Sequence, residues 1–87
     1  MDVAERFGLN LARLRQASGL TQADLAARTS LHRTEVSLLE RGQRQPRIDT
    51  LVKLAGALSL DTCVLLEGIA WVPEPGGGGH FVVPDHR

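Results

Sequence analysis

The spacing of hydrophobic residues predicts a first helix from Asp2 to Ser18. Phe7, Leu11 and Leu14 recur at i, i+4 and i+7, which places them on one face of a helix. Gly19 is the residue type that commonly follows the end of a helix. The pattern is therefore that of an amphipathic helix that packs against other elements through one face.

Two short helices separated by a tight turn are predicted next. Thr21 and Asp24 have the spacing of a capping box, so a helix is expected from Gln22 to Thr29. After a break, a second helical pattern covers Arg33 to Arg41. Ala26 is small enough to let the two helices cross closely, and the arrangement is that of a helix-turn-helix.

Two more helices complete the helical part of the chain. Pro46 interrupts helical structure, so a fourth helix begins near Arg47 or Ile48. Its apolar face is expected to consist of Ile48, Leu51, Leu54, Ala55 and Leu58. A fifth helix, capped by Asp61, is expected from Thr62 to Glu67. Because this helix is apolar on all sides, we expect a second copy of the chain to cover it.

The stretch from Leu20 to Gly42, LTQADLAARTSLHRTEVSLLERG, resembles the helix-turn-helix of lambda-repressor-like (Cro-type or Xre-type) DNA-binding domains. The resemblance extends from about Phe7 to Gly68 through FGLNLARLR, the triplet Glu40-Arg41-Gly42, QPRIDTL and LAGALSLD. It implies an all-α fold, a five-helix lambda-repressor-like bundle, over residues 1–68. Residues 69–87 form a C-terminal extension outside the resemblance.

The resemblance also implies an ion pair and a turn conformation. In the resembling family an arginine at the place of Arg15 pairs with the glutamate of the second motif helix, here Glu40. Independently, a partly buried glutamate needs a cation, whereas the alternative is that both side chains are exposed and unpaired. Ser30 stands where glycine is usual, so it has to adopt a left-handed conformation at a cost of about 1 kcal/mol.

The C-terminal extension has the composition of two strands. Ile69 to Val72 and Phe81 to Val83 are β-prone, and Pro73, Pro75 and the glycines from Gly76 to Gly79 separate them. These features indicate a β-hairpin. The alternative is a flexible linker and tail, which the four glycines alone would suggest.

The distribution of charge favours a nucleic-acid partner although the formal net charge of the 87 residues is zero. Residues 28–53 carry six basic and three acidic side chains, whereas residues 54–87 carry one basic and four acidic. A phosphate responds to local charge, and the basic excess falls on and after the second motif helix. The length is that of one domain.

The second helix of such a motif enters the major groove, about 12 Å wide, and its first residues reach the base edges. The residues expected on this side are His32, Arg33, Thr34, Ser37, Leu38 and Arg41. The guanidinium of Arg33 matches O6 and N7 of guanine, and Leu38 suits a thymine methyl group. Arg33 is therefore the candidate for specific base contact.

Other residues are expected at DNA phosphates. Thr21 and Gln22 open the first motif helix, whose N-terminus presents unpaired N–H groups. Arg41, Arg44 and Arg47 are expected at the backbone on the other side of the groove. These contacts supply affinity and salt dependence rather than sequence preference.

Other chemistries find little support. A single cysteine, Cys63, excludes an intramolecular disulfide and fits a reducing cytoplasm. No apolar run has the length of a membrane span and no secretion signal is evident, so a soluble cytoplasmic protein is expected without a membrane partner. Neither a catalytic triad motif nor metal-ligand spacing is present, so we expect no enzyme activity, no metal and no cofactor.

The expected function is sequence-specific binding of a palindromic operator in double-stranded DNA, by a homodimer that acts as a transcriptional repressor. The residues expected at the dimer interface are Val64, Leu65, Ile69, Trp71, Phe81 and Val83. The alternative is an antitoxin-type protein-interaction module, in which the C-terminal tail binds a partner protein.

Overall fold

The computed structural model describes residues 1–84, and they form five helices followed by a β-hairpin. The elements are α1 (Val3–Ala17), α2 (Gln22–Thr29), α3 (Arg33–Glu40), α4 (Ile48–Ala57), α5 (Thr62–Leu65), β1 (Ala70–Pro73) and β2 (Gly79–Val82). The predicted helical bundle and the predicted hairpin are both confirmed. The last three residues of the extension lie outside the described residues.

Local hydrogen bonds explain where the helices of the motif begin and end. The predicted capping box of Thr21 and Asp24 is present at the start of α2. Ser30 ends α2 in the predicted left-handed conformation, with φ 59° and ψ 26°. The helix α3 ends at Glu40, one residue before the prediction, and Gly42 follows in a left-handed conformation.

The fifth helix is shorter than the sequence pattern predicts. It ends at Leu65 instead of Glu67. The amides of Leu66 and Glu67 bond to carbonyls three residues earlier, so the chain tightens into turns after a single α-helical turn. Its N-cap Asp61 makes no side-chain capping bond.

One core lies between the helices and contains side chains from all five. Its buried members are Phe7, Leu11, Leu25, Ala26, Val36, Leu39, Leu54, Ala55, Leu58 and Leu65. Leu65 is fully buried in the core of its own chain, so the prediction that it contacts a second copy is wrong. The short α5 directs this side chain inward, while Cys63 and Leu66 remain exposed.

Ile48 departs from the predicted apolar face of α4. Its side chain is 82% exposed, whereas Leu54 and Leu58 are buried. At 3.6 residues per turn, Ile48 lies roughly a quarter turn away from the line through these two leucines, at the margin of the buried face. Ala55 lies at a similar angle and is buried, but Ile48 belongs to the first turn of the helix. Val52, one turn further on, is exposed as well. The prediction that Ile48 joins the core is therefore wrong.

Helix α1 packs closely against the end of α3. A Cβ atom on Gly8 would collide with the Leu39 carbonyl and lie 2.6 Å from the Glu40 carbonyl oxygen. Gly42 is similarly close to Glu5, since a Cβ there would lie 2.8 Å from the Glu5 Cα. Glycine at these positions lets the backbones of α1 and the α3 terminus approach each other.

The hairpin extends from the helical body with most of its side chains in solvent. Trp71 pairs with Phe81 across the two strands, and their rings meet edge to face with centroids 5.0 Å apart. These rings are 53% and 57% exposed, and Val72 and Val82 are exposed as well. Within residues 1–84, no helix is long and apolar enough to span a membrane.

Candidate nucleic-acid interface

The outer side of α3 and the start of α2 form one continuous polar surface. Gln22 of α2 lines a shallow depression together with Arg33, Thr34 and Ser37 of α3 and with Arg41, the residue that caps the end of α3. Arg33, Ser37 and Arg41 are spaced four residues apart, so they follow one another along one side of the helix. Val36 and Leu39 face the core on the opposite side. We call this surface the α3 face.

Two of the predicted base-contacting residues, His32 and Leu38, lie outside this depression. Arg33 and Thr34 are exposed within it, whereas His32 is exposed at the N-cap of α3 and Leu38 is partly buried beside it. His32 makes no capping bond through its side chain.

An ion pair holds the inner side of α3 to α1. The Arg15 guanidinium donates through Nε to Glu40 Oε2 at 2.6 Å and through Nη2 to Glu40 Oε1 at 3.0 Å. The predicted pairing of Arg15 and Glu40 is thus present, and the two side chains are only 12% and 6% exposed. The hydrogen bond to Glu40 raises the pKa of Arg15, which outweighs the opposing effect of its burial. A third guanidinium nitrogen donates to the Leu20 carbonyl at 2.8 Å.

The same carboxylate also orients Gln22. Gln22 Nε2 donates to Glu40 Oε1 at 3.0 Å, which links the start of α2 to the end of α3. This bond uses one of the two N–H donors of the Gln22 side-chain amide. The ion pair and Gln22 form a three-residue network that joins α1, α2 and α3 directly behind the α3 face. Local sequence pattern carries no signal for this third contact.

The amides at the start of α2 are more restricted than the sequence suggests. Thr21 Oγ1 accepts from the Asp24 amide at 3.0 Å, and Asp24 Oδ2 accepts from the Thr21 amide at 2.9 Å. Hydrogen bonding to Thr21 lowers the pKa of Asp24. The backbone of Thr21 has the larger effect and its side chain the smaller. Thr21 is therefore engaged in capping. Within the described chain, the unpaired first-turn donors are the amides of Gln22 and Ala23.

Three exposed arginines lie at the end of α3 and in the loop that follows. Arg41 Nε donates to the Ser37 carbonyl at 3.3 Å, which holds the side chain along α3. Arg44 lies 4.0 Å from Glu35, and Arg47 lies 3.6 Å from Asp49. Exposed pairs at such distances are weak, so these cations are available to other anions.

The helical bundle contains two short helices joined by a tight turn, α2 and α3. The second of them is held in place by the ion pair and is followed by exposed arginines. This is the architecture of a helix-turn-helix DNA-binding domain. The helix-turn-helix family model matches residues 11–65, which is more than half of the chain. The chain belongs to this family, in its Xre or lambda-repressor-like form. It is a family of DNA-binding transcriptional regulators.

Several related proteins agree with this assignment. The HTH-type transcriptional regulator y4dJ of Sinorhizobium fredii is 45% identical over 60 residues, which cover 69% of this chain and 78% of the relative. The control protein C.SmaI of Serratia marcescens is 36% identical over 66 residues, which cover 76% and 79% of the two chains. A solved structure, the restriction-modification controller protein C.AhdI of Aeromonas hydrophila, is 40% identical with a TM-score of 0.70. That match covers 94% of the C.AhdI chain but 71% of this one.

Proposed function

We propose that this chain binds a palindromic operator in double-stranded DNA as a homodimer and represses transcription by occluding that site. The observation that carries the proposal is the α3 face. Its polar side chains are presented outward on a helix whose inner side is fixed by the network of Arg15, Glu40 and Gln22. A helix held in this way can enter a major groove about 12 Å wide without reorganising first.

Base readout is assigned to the first half of α3. Arg33 is exposed at the first position of the helix, where its planar fork can donate to both O6 and N7 of a guanine. Thr34 follows with a hydroxyl and a methyl group. Ser37 and Arg41 continue the same side toward the edge of the groove. The partly buried Leu38 offers an apolar contact at the margin of this surface.

Phosphate contact is assigned to both sides of that groove. The unpaired amides of Gln22 and Ala23 and the partial positive charge of the α2 N-terminus suit one phosphate. Arg44 and Arg47 suit phosphates beyond the other end of α3. Thr21 contributes indirectly, by capping α2.

The hairpin is the proposed dimer surface. Trp71 and Phe81 expose more than half of their side chains, and an isolated two-stranded sheet is marginally stable in water without a cover. Val64, Ile69 and Val83 are partly buried in the single chain, and Val83 lines the same depression as Phe81. Acidic residues outnumber basic ones in this part of the sequence, which disfavours DNA as the cover. A two-fold axis also accounts for the second α3 that a palindromic operator needs.

The same exposed rings support a second candidate. In an antitoxin-type module, the hairpin would bind a different protein while the helices contact DNA. Homodimerisation is preferred because a symmetric operator supplies an independent reason for it.

Selection of binding sites from random duplex DNA by the full chain tests the proposal. Enrichment of an inverted repeat whose half-sites lie about one helical turn apart, about 34 Å, supports it. Enrichment of a single half-site, together with a monomeric mass in solution, contradicts homodimeric binding. The absence of any enrichment contradicts specific DNA binding.

A further inference from the structure

One arginine on α1 joins the two ends of the hairpin. Arg6 Nε donates to the Glu67 carbonyl at 3.2 Å, and Arg6 Nη1 donates to the Pro84 carbonyl at 3.0 Å. Glu67 precedes β1 and Pro84 follows β2. A single guanidinium therefore fixes both the entry and the exit of the hairpin to the first helix.

The surroundings of Arg6 fit this contact closely. Gly68 adopts φ +82° beside the guanidinium, and a Cβ there would collide with Arg6 Nη2 and lie 2.6 Å from its Cζ. Asn10, one turn along α1, is buried and donates through Nδ2 to the carbonyls of Leu65 and Glu67 at 3.0 and 2.8 Å. The carbonyl of Glu67 thus accepts from two side chains of α1.

The hairpin has few other attachments to the helical body. Ile69 packs against the core just before β1. Phe81 of β2 and Val83, which follows that strand, lie beside the N-terminus of α1 across an open depression. Without Arg6, the strands would be joined to the bundle mainly through the chain at Gly68, where glycine allows backbone rotation.

Helix α1 also positions α3, because the two helices are in direct contact. Gly8 lies directly against the carbonyls of Leu39 and Glu40, and Arg15 holds the Glu40 carboxylate. The orientation of the hairpin relative to the α3 face is therefore transmitted through one helix, from Arg6 at its start to Gly8 and Arg15 further along.

We propose that Arg6 is a positioning residue that sets which half-site spacing the protein accepts. The inference rests on the proposed homodimer. If two hairpins meet across a two-fold axis, their orientation determines the distance and rotation between the two α3 faces. One extra base pair moves a half-site by about 3.4 Å and rotates it by about 35°. A rigid link has a high effective concentration at one spacing, whereas a loose link accepts several spacings at lower affinity.

The test uses the full chain with Arg6→Gln and Arg6→Lys. Glutamine removes the charge and the fork, whereas lysine keeps the charge but cannot reproduce two donors in a fixed plane. Arg13→Gln is the matched control, because Arg13 is an exposed arginine on the same helix. Binding is measured by fluorescence anisotropy on the selected palindrome, on versions with one central base pair added or removed, and on a single half-site.

For the wild type and Arg13→Gln, one added base pair is expected to weaken binding at least about tenfold. For both Arg6 variants this penalty should fall below about threefold, while the optimal site is bound about fivefold to tenfold more weakly. Binding to the single half-site should stay unchanged. If the Arg6 variants keep the full spacing penalty, or if they lose half-site binding to the same degree, Arg6 does not set the spacing. A wild type that selects no palindrome instead contradicts the homodimer itself. A wild type that selects two half-sites but accepts every spacing shows that the link is loose, and it contradicts the role of Arg6.

Discussion

Replacing Glu40 by alanine removes the acceptor of three hydrogen bonds and leaves the Arg15 guanidinium without its counterion. Two of these bonds come from Arg15, at 2.6 and 3.0 Å, and the third comes from Gln22 at 3.0 Å. Arg15 keeps the Leu20 carbonyl, and its side chain is 12% exposed, so water can reach it in part. Removing one partner of a buried ion pair costs about 3–5 kcal/mol of stability. Because Arg15 keeps one hydrogen bond and some contact with water, we expect Glu40→Ala to cost about 3 kcal/mol, near the lower bound.

Such a loss is large for this chain. The free energy of unfolding of an 87-residue domain is expected to be roughly 4–13 kcal/mol at about 0.05–0.15 kcal/mol per residue. One kcal/mol lowers the midpoint of thermal unfolding by about 4–8 °C in a domain of this size, so Glu40→Ala should lower it by more than about 10 °C. Urea titration followed by far-UV circular dichroism measures the free energy directly.

Glu35→Ala is the matched control, because Glu35 is on the same helix and faces Arg44 at 4.0 Å in a more exposed setting. It should cost less than about 1 kcal/mol. In the double variant Arg15→Met with Glu40→Ala, no unpaired charge remains, so the loss should be much smaller than the sum of the losses of the two single variants. If Glu40→Ala and Arg15→Met each cost less than about 1 kcal/mol, the ion pair does not stabilise the motif, and our reading of Glu40 is wrong.

Three further predictions address other parts of the structure. Arg44→Ala should weaken binding to all DNA sequences alike and reduce the slope of the logarithm of the binding constant against the logarithm of salt concentration by about one unit. Binding isotherms recorded at several salt concentrations measure this slope. A change in base preference would contradict the assignment of Arg44 to a phosphate. Gly8→Ala should lower the free energy of unfolding in urea, because the added Cβ meets the carbonyls of Leu39 and Glu40. Gly56→Ala is the control and should be neutral or stabilising, because a Cβ there would have nothing within 4 Å. Equal effects would refute the close packing of α1 on α3. A chain ending at Gly68 should be monomeric by light scattering at concentrations where the full chain is dimeric, and a dimer as tight as that of the full chain would show that the hairpin is not the interface.

Local signals in the sequence account for most of the helical architecture. The capping box of Thr21 and Asp24 and the turn at Ser30 each involve neighbours in the chain, and each is present as predicted. Hydrophobic periodicity also identified the buried face of α1, where Phe7 and Leu11 are buried and Leu14 packs partly buried against the core. These features are predictable because their physical cause lies within a few residues.

Contacts between distant elements explain what the sequence pattern missed. The sequence pattern placed Ile48 on the apolar face of α4 and Leu65 at the dimer interface. The packing of the bundle instead leaves Ile48 exposed and buries Leu65 in the core. The bonds from Gln22 to Glu40 and from Arg6 to both ends of the hairpin join residues far apart in sequence, and no local pattern signals them. The pairing of Arg15 with Glu40 was predictable because a resembling family and a partly buried carboxylate both indicated it.

Parallel selection of binding sites with the wild type and Arg33→Ala tests most directly whether α3 reads base pairs through Arg33. Arg44→Ala serves as a control that retains Arg33. We expect the wild type to prefer one base pair strongly at one position of each half-site, and Arg33→Ala to lose that preference at a cost of about 1–3 kcal/mol on the optimal site. Arg44→Ala should retain the preference. If Arg33→Ala selects the same sequence with the same preference at every position, α3 does not read DNA in the proposed orientation.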